Sequence, residues 1–593
     1  MTSDQIIVFA IMAALFVLLV WGRWRYDLVA FAALLVAVVV GVVPGDRAFS
    51  GFGHPAVVII ALVLIISRGL SNAGVVDVVV RNLVDAGRSV TAHISIMAGV
   101  AASLSAVMNN VGALALLMPV DLQAAAKAKR SPALTLMPLS FATILGGLVT
   151  LIGTPPNIII AAYRQDALGA PFAMFDFAPV GLACAIAGVV FIATVGWRLI
   201  PQDRAKQDTP QELFELEGYI AEARVPAGAK IIGQKVRSLH PEADEQEVAI
   251  LGLIRAGRRL PGFARREAMR EGDILVFEAR PDAIDKFIAS TGLEHVGAGQ
   301  IFSDKQGSGD LGLMEVVVPA GARIDGRSAR ELNLLQRQSV LLLGVSRQGQ
   351  RFRDRVRRLT VRAGDILLLL GPNERLAPAA NWLGCLPLAE RGLQVTRDGK
   401  ALIACLMFAA AIALASFGLL YLPIALAAVV VGMVLTKIVS LREIYDQVEW
   451  PIIVLLGALI PLGEALETTG GTQTIVTLLL ELAAGAGPVI LLSLLMVLTM
   501  TLSDVLNNTA TAVIAAPIAL QLAEQLDANP DAFLMGVAVA ASCAFLTPIG
   551  HKNNTLIMGP GGYRFGDYWR MGLPVELIVL LVSIPMILLV WPL

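Results

Sequence analysis

The chain has 593 residues, of which 56% are hydrophobic and 16% are charged, and its mean hydropathy is +0.72. A composition this apolar excludes a water-soluble globular protein and predicts a polytopic α-helical membrane protein in a lipid bilayer. The formal net charge of −1 gives no support to a nucleic-acid partner.

Charged residues are concentrated in the middle of the chain. Of the 46 Lys and Arg residues, 30 lie between residues 201 and 400, as do 27 of the 47 Asp and Glu residues. This distribution predicts a soluble insert between two membrane halves. The segment VPAGAKIIG at 225–233 recurs as VPAGARIDG at 318–326, which indicates that the insert is itself duplicated. We expect two small α+β modules at 201–295 and 296–390, joined by a polar linker at 292–310, with transmembrane repeats at 1–200 and 391–593.

The apolar runs follow the chain in two series. Runs long enough to cross a bilayer, about 17 to 25 residues, are expected to be transmembrane helices. They lie near residues 5–20, 27–43, 55–71, 136–162, 177–197, 401–419, 422–438, 450–467, 533–558 and 573–592. Two longer runs, at 93–124 and 487–525, are each interrupted by an Asn-Asn pair. Each of these two predicts a re-entrant helical hairpin.

The Asn pairs are the most unusual feature of the sequence. Asn109 and Asn110 lie in the first hairpin, and Asn507 and Asn508 lie in the second. Amide side chains compete for backbone hydrogen bonds and are costly in hydrocarbon, so a pair of them in an apolar run marks the end of a helix. The alternative is that the Asn side chains only form hydrogen bonds between packed helices.

A second motif, T-x-I-G-x-x-x-N, also occurs twice, at residues 150–157 and 547–554. Its glycine and, in the first copy, its two prolines predict a break in the helix. Basic residues in short loops, among them Arg23, Arg25 and Lys127, place the two hairpins on opposite sides of the membrane. The pattern predicts two inverted repeats, each with a hairpin and a broken helix, as in secondary transporters.

These breaks and hairpins predict one binding site. Non-helical backbone at membrane depth exposes carbonyl groups that bind cations and helix N-termini that attract anions. Half of the site is expected from Asn109, Asn110, Gly153, Thr154 and Asn157, and the other half from Asn507, Asn508, Thr509, Thr547, Gly550 and Asn554.

On these motifs, on the paired modules and on the stretch GPGGYRFGDY at 559–568, the sequence resembles the divalent anion:sodium symporter family, in its branch with two central TrkA-C modules. The resemblance implies that the hairpin tips bind the anion and the adjacent broken helices bind sodium. It also implies elevator-type alternating access, a homodimer in the cytoplasmic membrane, and cytosolic modules that regulate transport. The candidate cation-binding residues are Gly153, Thr154, Asn157, Thr547, Gly550 and Asn554.

Two positions depart from the family pattern. Val111 replaces a hydroxyl residue at the first tip, and His551 and Lys552 bring ionisable groups to the second break. An ionisable residue at membrane depth suggests a function. Lys552 is a candidate for binding the anion or replacing a second sodium ion, and His551 and Asp504 are candidates for carrying a proton. The alternatives are snorkelling of Lys552 and His551 to the interface and exposure of Asp504 to water.

The sequence therefore predicts a transporter of small inorganic divalent anions, sulfate first, coupled to sodium. A di- or tricarboxylate symporter or exchanger and a proton-coupled anion transporter remain alternatives. A ligand-gated cation channel is less well supported, because no carbonyl-lined filter motif occurs. A membrane-anchored sensor, in which the central modules bind the ligand, is a third alternative. No catalytic motif, metal cluster or cofactor fingerprint is present in the sequence, so we expect no enzymatic activity.

Overall fold

The computed structural model describes most of the chain, in two compact units, Met1–Gln207 with Arg391–Leu593 and Asp208–Glu390. Most of the predicted linker lies outside the described residues. Those left out are 1, 22, 75–88, 129, 202–218, 247, 256–257, 261–263, 265, 280, 297–310, 320, 348–349, 353–355, 389–399 and 483–484.

The first part of the membrane unit is helical. Pro55 and Pro155 are each the first residue of a helix, where the N–H that proline lacks would have no intrahelical partner. Gly74, with a φ of 80°, follows the helix that Pro55 begins. The helices are α1 (Ser3–Trp21), α2 (Tyr26–Val40), α3 (Pro55–Asn72), α4 (Val90–Val107), α5 (Asn110–Lys127), α6 (Ala133–Gly147), α7 (Pro155–Leu168) and α8 (Ala178–Thr194).

The second unit begins with a five-stranded antiparallel sheet in the order β3-β2-β4-β1-β5. Alternating apolar residues on one face of these strands build a core with the neighbouring helices, around Val225, Leu253 and Phe277. The elements are β1 (Tyr219–Arg224), α9 (His240–Glu245), β2 (Ala249–Arg255), β3 (Arg258–Arg259), β4 (Ile274–Ala279), α10 (Pro281–Thr291) and β5 (Glu294–Val296).

A second sheet follows with the same strand order read from the other edge, β10-β6-β9-β7-β8. Both sheets carry an irregularity at the corresponding place, between Ile250 and Gly252 and between Leu342 and Gly344. The elements are β6 (Leu311–Val317), α11 (Leu334–Gln338), β7 (Leu341–Arg347), β8 (Gln350–Phe352), β9 (Ile366–Pro372), α12 (Asn373–Leu383) and β10 (Leu386–Pro387).

Each sheet contains an equivalent arginine–aspartate ion pair. Arg255 donates two hydrogen bonds to Asp273 at 2.9 and 2.8 Å, and Arg347 donates two to Asp365 at 2.8 and 2.7 Å. The bond to Asp365 raises the pKa of the Arg347 guanidinium above its ordinary value. The carboxylate of Asp365 also accepts a hydrogen bond from the backbone N–H of Arg362 at 2.8 Å, so it closes a turn as well.

Replacing Asp365 by alanine is expected to destabilise its sheet by about 3 kcal/mol, because it leaves a partly buried guanidinium and a turn N–H without their acceptor. Limited proteolysis of the full chain should then cut within residues 311–388 at lower protease concentration than in the wild type. Glu374→Ala, which removes an exposed carboxylate from the first turn of α12, should leave the cleavage pattern unchanged. Equal resistance of the two variants would contradict the role of Asp365.

The chain then returns to the membrane unit. Its helices are α13 (Lys400–Ser416), α14 (Leu422–Leu435), α15 (Leu441–Gln447), α16 (Trp450–Thr468), α17 (Gly471–Leu482), α18 (Pro488–Val505), α19 (Asn508–Gln525), α20 (Pro530–Ser542), α21 (Lys552–Met558) and α22 (Tyr568–Val590). Gly470 closes α16 with a φ of 78°, as Gly74 closes α3. Helices α15 and α17 were not among the predicted elements.

The helices confirm a polytopic helical membrane protein. In the described part of the chain six helices are long and apolar enough to cross a membrane, and seven shorter ones are also apolar. The predicted spans 136–162 and 533–558 are each divided into two helices, α6 with α7 and α20 with α21. Helix α4 packs against α6, α22 against α8, and α19 against both α7 and α20, so the hairpins lie among the broken helices.

Candidate functional site

The first hairpin turns at residues 108–111, which we call the first tip. Helix α4 ends at Val107 and α5 begins at Asn110. The side-chain oxygen of Asn109 accepts a hydrogen bond from the N–H of Val111 at 2.9 Å. A side-chain acceptor at this position satisfies one of the N–H groups that every helix leaves without an intrahelical partner. The Asn pair therefore follows the end of α4 and caps the start of α5.

The second hairpin turns at residues 506–509, the second tip, in the same way. Asn507 caps α19, and its side-chain oxygen accepts from the N–H of Thr509 at 2.8 Å. The hydroxyl of Thr509 donates to the side chain of Asn508 at 3.2 Å. Both tips thus carry the first N–H groups of a helix, where the helix dipole is positive.

Each hairpin lies beside a helix break, defined here as residues 148–154 for the first break and 543–551 for the second. The amide of Asn157 donates to the carbonyl of Thr150 at 2.9 Å, and that of Asn554 donates to the carbonyl of Thr547 at 3.2 Å. The hydroxyl of Thr547 donates to the backbone oxygen of Asp504 on α18. These bonds give the unwound backbone internal partners, as irregular backbone in a membrane requires.

The first tip contacts the second break. The side-chain amide of Asn110 lies 2.9 Å from His551 Nε2, and the Asn553 amide donates to the carbonyl oxygen of Asn110 at 3.1 Å. The Asn553 amide also donates to the Thr143 hydroxyl at 2.6 Å, and Ser140 donates to Asn554 at 2.9 Å. All six polar side chains at this junction are buried. Segments more than 400 residues apart in sequence thus share one hydrogen-bonded junction.

Three buried oxygen atoms at the breaks have no hydrogen-bond partner among the described residues. They are Thr154 Oγ1, Asn553 Oδ1 and Asp504 Oδ2. A buried acceptor without a donor is costly, because it has lost its water. Such oxygens are suitable ligands for a hard cation, which binds carbonyl, amide and carboxylate oxygens. Each of these oxygens is therefore a candidate cation ligand.

His551 is placed between two N–H donors. The Asn553 N–H donates to its Nδ1 at 3.2 Å, and the Asn110 amide lies at its Nε2. A neutral imidazole can accept one of these bonds, whereas an imidazolium donates from both nitrogens and can accept neither. The geometry therefore favours a neutral ring and weakens the hypothesis that His551 carries a proton.

Lys552 points elsewhere. Its ammonium group forms an ion pair with Glu449, the residue before α16, and the two side chains are 26% and 31% exposed. His551 precedes α21 in an extended conformation and Lys552 begins the helix, and their side chains have different partners, the junction for His551 and Glu449 for Lys552. Its charge is neutralised by Glu449, and the described contacts bring it to neither tip.

A double-mutant cycle measures this ion pair. We expect the stability losses of Lys552→Gln and Glu449→Gln to be non-additive by about 1 kcal/mol, because either change alone removes the same interaction. Thermal unfolding in detergent provides the readout. The exposed pair Arg25 and Asp27 serves as the control, with a coupling below about 0.5 kcal/mol. Additive losses, together with weaker anion binding in Lys552→Gln, would place Lys552 at the anion site instead.

Several functional candidates were missed by the sequence analysis. Asn553 occupies a variable position of the motif, and Ser140 and Thr143 lie in an apolar span without a pattern of their own. Glu449 and Glu576 are single acidic residues at or within apolar helices. The intramembrane position of Glu576 was the available signal, because an ionisable residue there is costly.

Comparison with known proteins agrees with this architecture. The profile of a family described as citrate transporter matches residues 16–493, and one described as sodium:sulfate symporter transmembrane region matches residues 403–593. An uncharacterized transporter of Synechocystis is 30% identical, over 95% of this chain and 94% of its own. Another, of Escherichia coli, is 30% identical over 100% of both chains. A putative sulfur deprivation response regulator of Chlamydomonas reinhardtii is 27% identical, over 94% of this chain and 97% of its own.

Proposed function

Because the chain belongs to the citrate transporter family, we propose that it is a secondary active transporter of small divalent anions, sulfate first, driven by sodium. The observation that carries the proposal is the junction between the first tip and the second break. There Asn110, His551 and Asn553 are buried around one point, beside the N-terminus of α5. Buried helix N-termini attract anions.

The chemistry of the tips suits a small oxyanion. Asn109, Asn110, Asn507, Asn508 and Thr509 supply neutral amides, a hydroxyl and backbone N–H groups. Neutral donors bind a dianion without the desolvated charge pair that makes release slow. Lys552, which follows His551 in sequence, is neutralised by Glu449. A third carboxylate, as in citrate, would bring a further negative charge to a site with no free cationic side chain among the described contacts.

The coupling cation is proposed to lie at the breaks. Backbone carbonyls of the unwound segments around Gly153 and Gly550, together with the unpartnered oxygen of Thr154, are the proposed oxygen ligands. Asn157, Thr547 and Asn554 shape the same backbone through their hydrogen bonds. A cation there lowers the cost of bringing a dianion into the membrane, because the two charges are taken up together.

The remaining parts of the proposal concern the whole chain. We propose that the two membrane halves are inverted repeats that work by elevator-type alternating access in the cytoplasmic membrane, as a homodimer. The two sheets of the second unit are proposed to be cytosolic TrkA-C-like modules that regulate transport. Their shared strand order and the repeated Arg–Asp pairs support a duplicated module.

A second candidate is a citrate or dicarboxylate transporter, which the description of the matching family favours. Uptake of labelled sulfate, succinate and citrate into proteoliposomes, each with and without an inward sodium gradient, distinguishes the two. We expect concentrative sulfate uptake that requires the gradient. Uptake of a carboxylate with none of sulfate would reject the first candidate in favour of the second.

A further inference from the structure

A buried polar cluster joins the base of the first hairpin, far from its tip in sequence. His93 Nε2 on α4 lies 2.6 Å from Asp121 Oδ1 on α5, and the hydroxyl of Thr135 on α6 donates to the other oxygen of Asp121. All three side chains are buried. Separating them would leave buried polar groups without partners, which is costly. The cluster therefore holds the two arms of the first hairpin to each other and to α6.

The second hairpin has apolar residues at the corresponding positions. The correspondence is visible in the hydrogen bonds: Ser105 donates to the carbonyl of Thr143 at 2.6 Å, and Ser503, 398 residues later, donates to that of Ala541 at 2.6 Å. Apolar contacts are non-directional, so they can shift without leaving an unpaired polar group. At the spacing of 398 residues, the buried counterparts of His93, Asp121 and Thr135 are Leu491, Ala519 and Phe533.

The two tips differ in the same way. The first tip is bonded to the second break, because His551 and Asn553 both contact Asn110, at 2.9 and 3.1 Å. The counterparts of these two residues in the first break, 397 residues earlier, are Thr154 and Pro156. Proline has no side-chain donor, and the buried hydroxyl of Thr154 has no hydrogen-bond partner among the described residues. The bonds that join the halves at the first tip are thus not repeated at the second.

The polar side chains of the second tip bond within the tip itself. Asn507 and Asn508 each accept a hydrogen bond from the N–H of Thr509 at 2.8 Å. We propose that the second tip is the gate of the anion site, which moves away to admit the anion and closes over it, while the first tip stays attached to the second break. This inference rests on the proposed function, because it places the anion between the tips.

The cost of opening decides which tip moves. Opening at the first tip would separate Asn110 from His551 and Asn553, and each buried group left unpaired costs free energy. Opening at the second tip breaks no hydrogen bond to the first break among the described residues. The amides and N–H groups of the second tip gain the anion as an acceptor only when the tip is closed. Because the anion binds the closed position better, it shifts the population toward that position.

Hydrogen exchange of the full chain in lipid nanodiscs tests the proposal without any substitution. With neither sulfate nor sodium present, residues 507–513 should exchange about tenfold faster than residues 109–115 after correction for intrinsic rates, since one hydrogen bond corresponds to about that factor. Sulfate with sodium should slow residues 507–513 about tenfold and change residues 109–115 by less than about threefold. Equal exchange at the two tips, or stronger protection of the first, would overturn the proposal.

Two double variants loosen the first hairpin and provide the converse test. His93→Leu/Asp121→Ala gives its base the residues of the second hairpin, and His551→Thr/Asn553→Ala removes the bonds to its tip. Each variant should raise the exchange of residues 109–115 about tenfold, because a buried polar attachment is lost. Wild-type exchange of this segment in both variants would show that these bonds do not hold the first hairpin, and the assignment of the gate would be wrong.

A third variant controls for the loss of a hydrogen bond as such. The hydroxyl of Thr501 donates to the carbonyl of Val497 at 2.9 Å, within α18. Thr501→Ala should therefore leave the exchange of both tips unchanged. Faster exchange of the first tip in this variant would mean that the double variants act through general destabilisation, and the converse test would count against the proposal.

A comparison of anions separates the gate from the proposed substrate. The same exchange measurement is made with sulfate, succinate and citrate, each with sodium. If a carboxylate protects residues 507–513 and sulfate does not, the gate stands and the proposed substrate is wrong. If none of the three anions protects this segment, the second tip is not a gate for the site.

Discussion

Replacing Asn508 by alanine is expected to reduce sulfate uptake at limiting sulfate concentration by about 10- to 100-fold. Asn508 is the first residue of α19, where a side-chain amide and the following N–H groups lie at the positive end of the helix. A hydrogen bond to a charged group contributes about 1.5 to 3 kcal/mol, and each 1.4 kcal/mol is a factor of ten in affinity. The loss should appear as a higher half-saturating concentration of sulfate in proteoliposomes.

A matched asparagine separates binding from stability. Asn529 caps α20 and accepts a hydrogen bond from the N–H of Asp531 at 3.0 Å, as Asn508 accepts from Thr509 at 2.8 Å. Loss of either side-chain hydrogen bond costs about 1 kcal/mol of stability. Asn529→Ala should therefore lower the unfolding temperature to a similar extent while the affinity for sulfate stays within about threefold of the wild type. If the two variants have equal sulfate affinity, the second tip does not bind the anion.

The membrane architecture was predictable from the sequence wherever its cause is local. A pair of amides in an apolar run ends a helix whatever surrounds it, and the helices end at Val107 and Val505, just before the two pairs. The same holds for the breaks, where glycine and proline interrupt the predicted spans. Helix α17 was not predicted, since it has only 12 residues and begins with polar ones, so it does not form a long apolar run.

The contacts across the site could not be predicted, because they join distant segments. The junction of Asn110 with His551 spans 441 residues of sequence, and the pairing of Glu449 with Lys552 spans 103. His551 and Lys552 are neighbours in sequence but have different partners. The orientation of α21 relative to α6 and α16 determines these partners. The sequence motifs indicate which residues are unusual for a membrane helix. Only the packing shows whether an unusual residue faces a tip, a break or another charge.

The second break also requires close packing against its hairpin, and a glycine substitution tests this requirement. A Cβ at Gly550 would lie 2.5 Å from the carbonyl oxygen of Ser503 and 2.8 Å from Asp504 Cα, both backbone atoms of α18. These atoms cannot rotate away, so Gly550→Ala must displace the second break from its hairpin. We expect a loss of about 1 to 3 kcal/mol of stability. We also expect the half-saturating sodium concentration for sulfate uptake to rise about tenfold, since 1.4 kcal/mol corresponds to that factor.

Gly99→Ala is the control for this substitution. Gly99 lies within α4, and a Cβ there would meet no atom within 4 Å. Alanine is a better helix former than glycine by about 0.8 to 1 kcal/mol, so this variant should be as stable as the wild type or more stable. Its sodium dependence should be unchanged. A Gly550→Ala protein with wild-type unfolding temperature and sodium dependence would show that the cation site does not depend on close packing between the second break and its hairpin. The sodium ion would then have to be sought at the first break, where Gly153 makes the corresponding close approach to the backbone of Gly147.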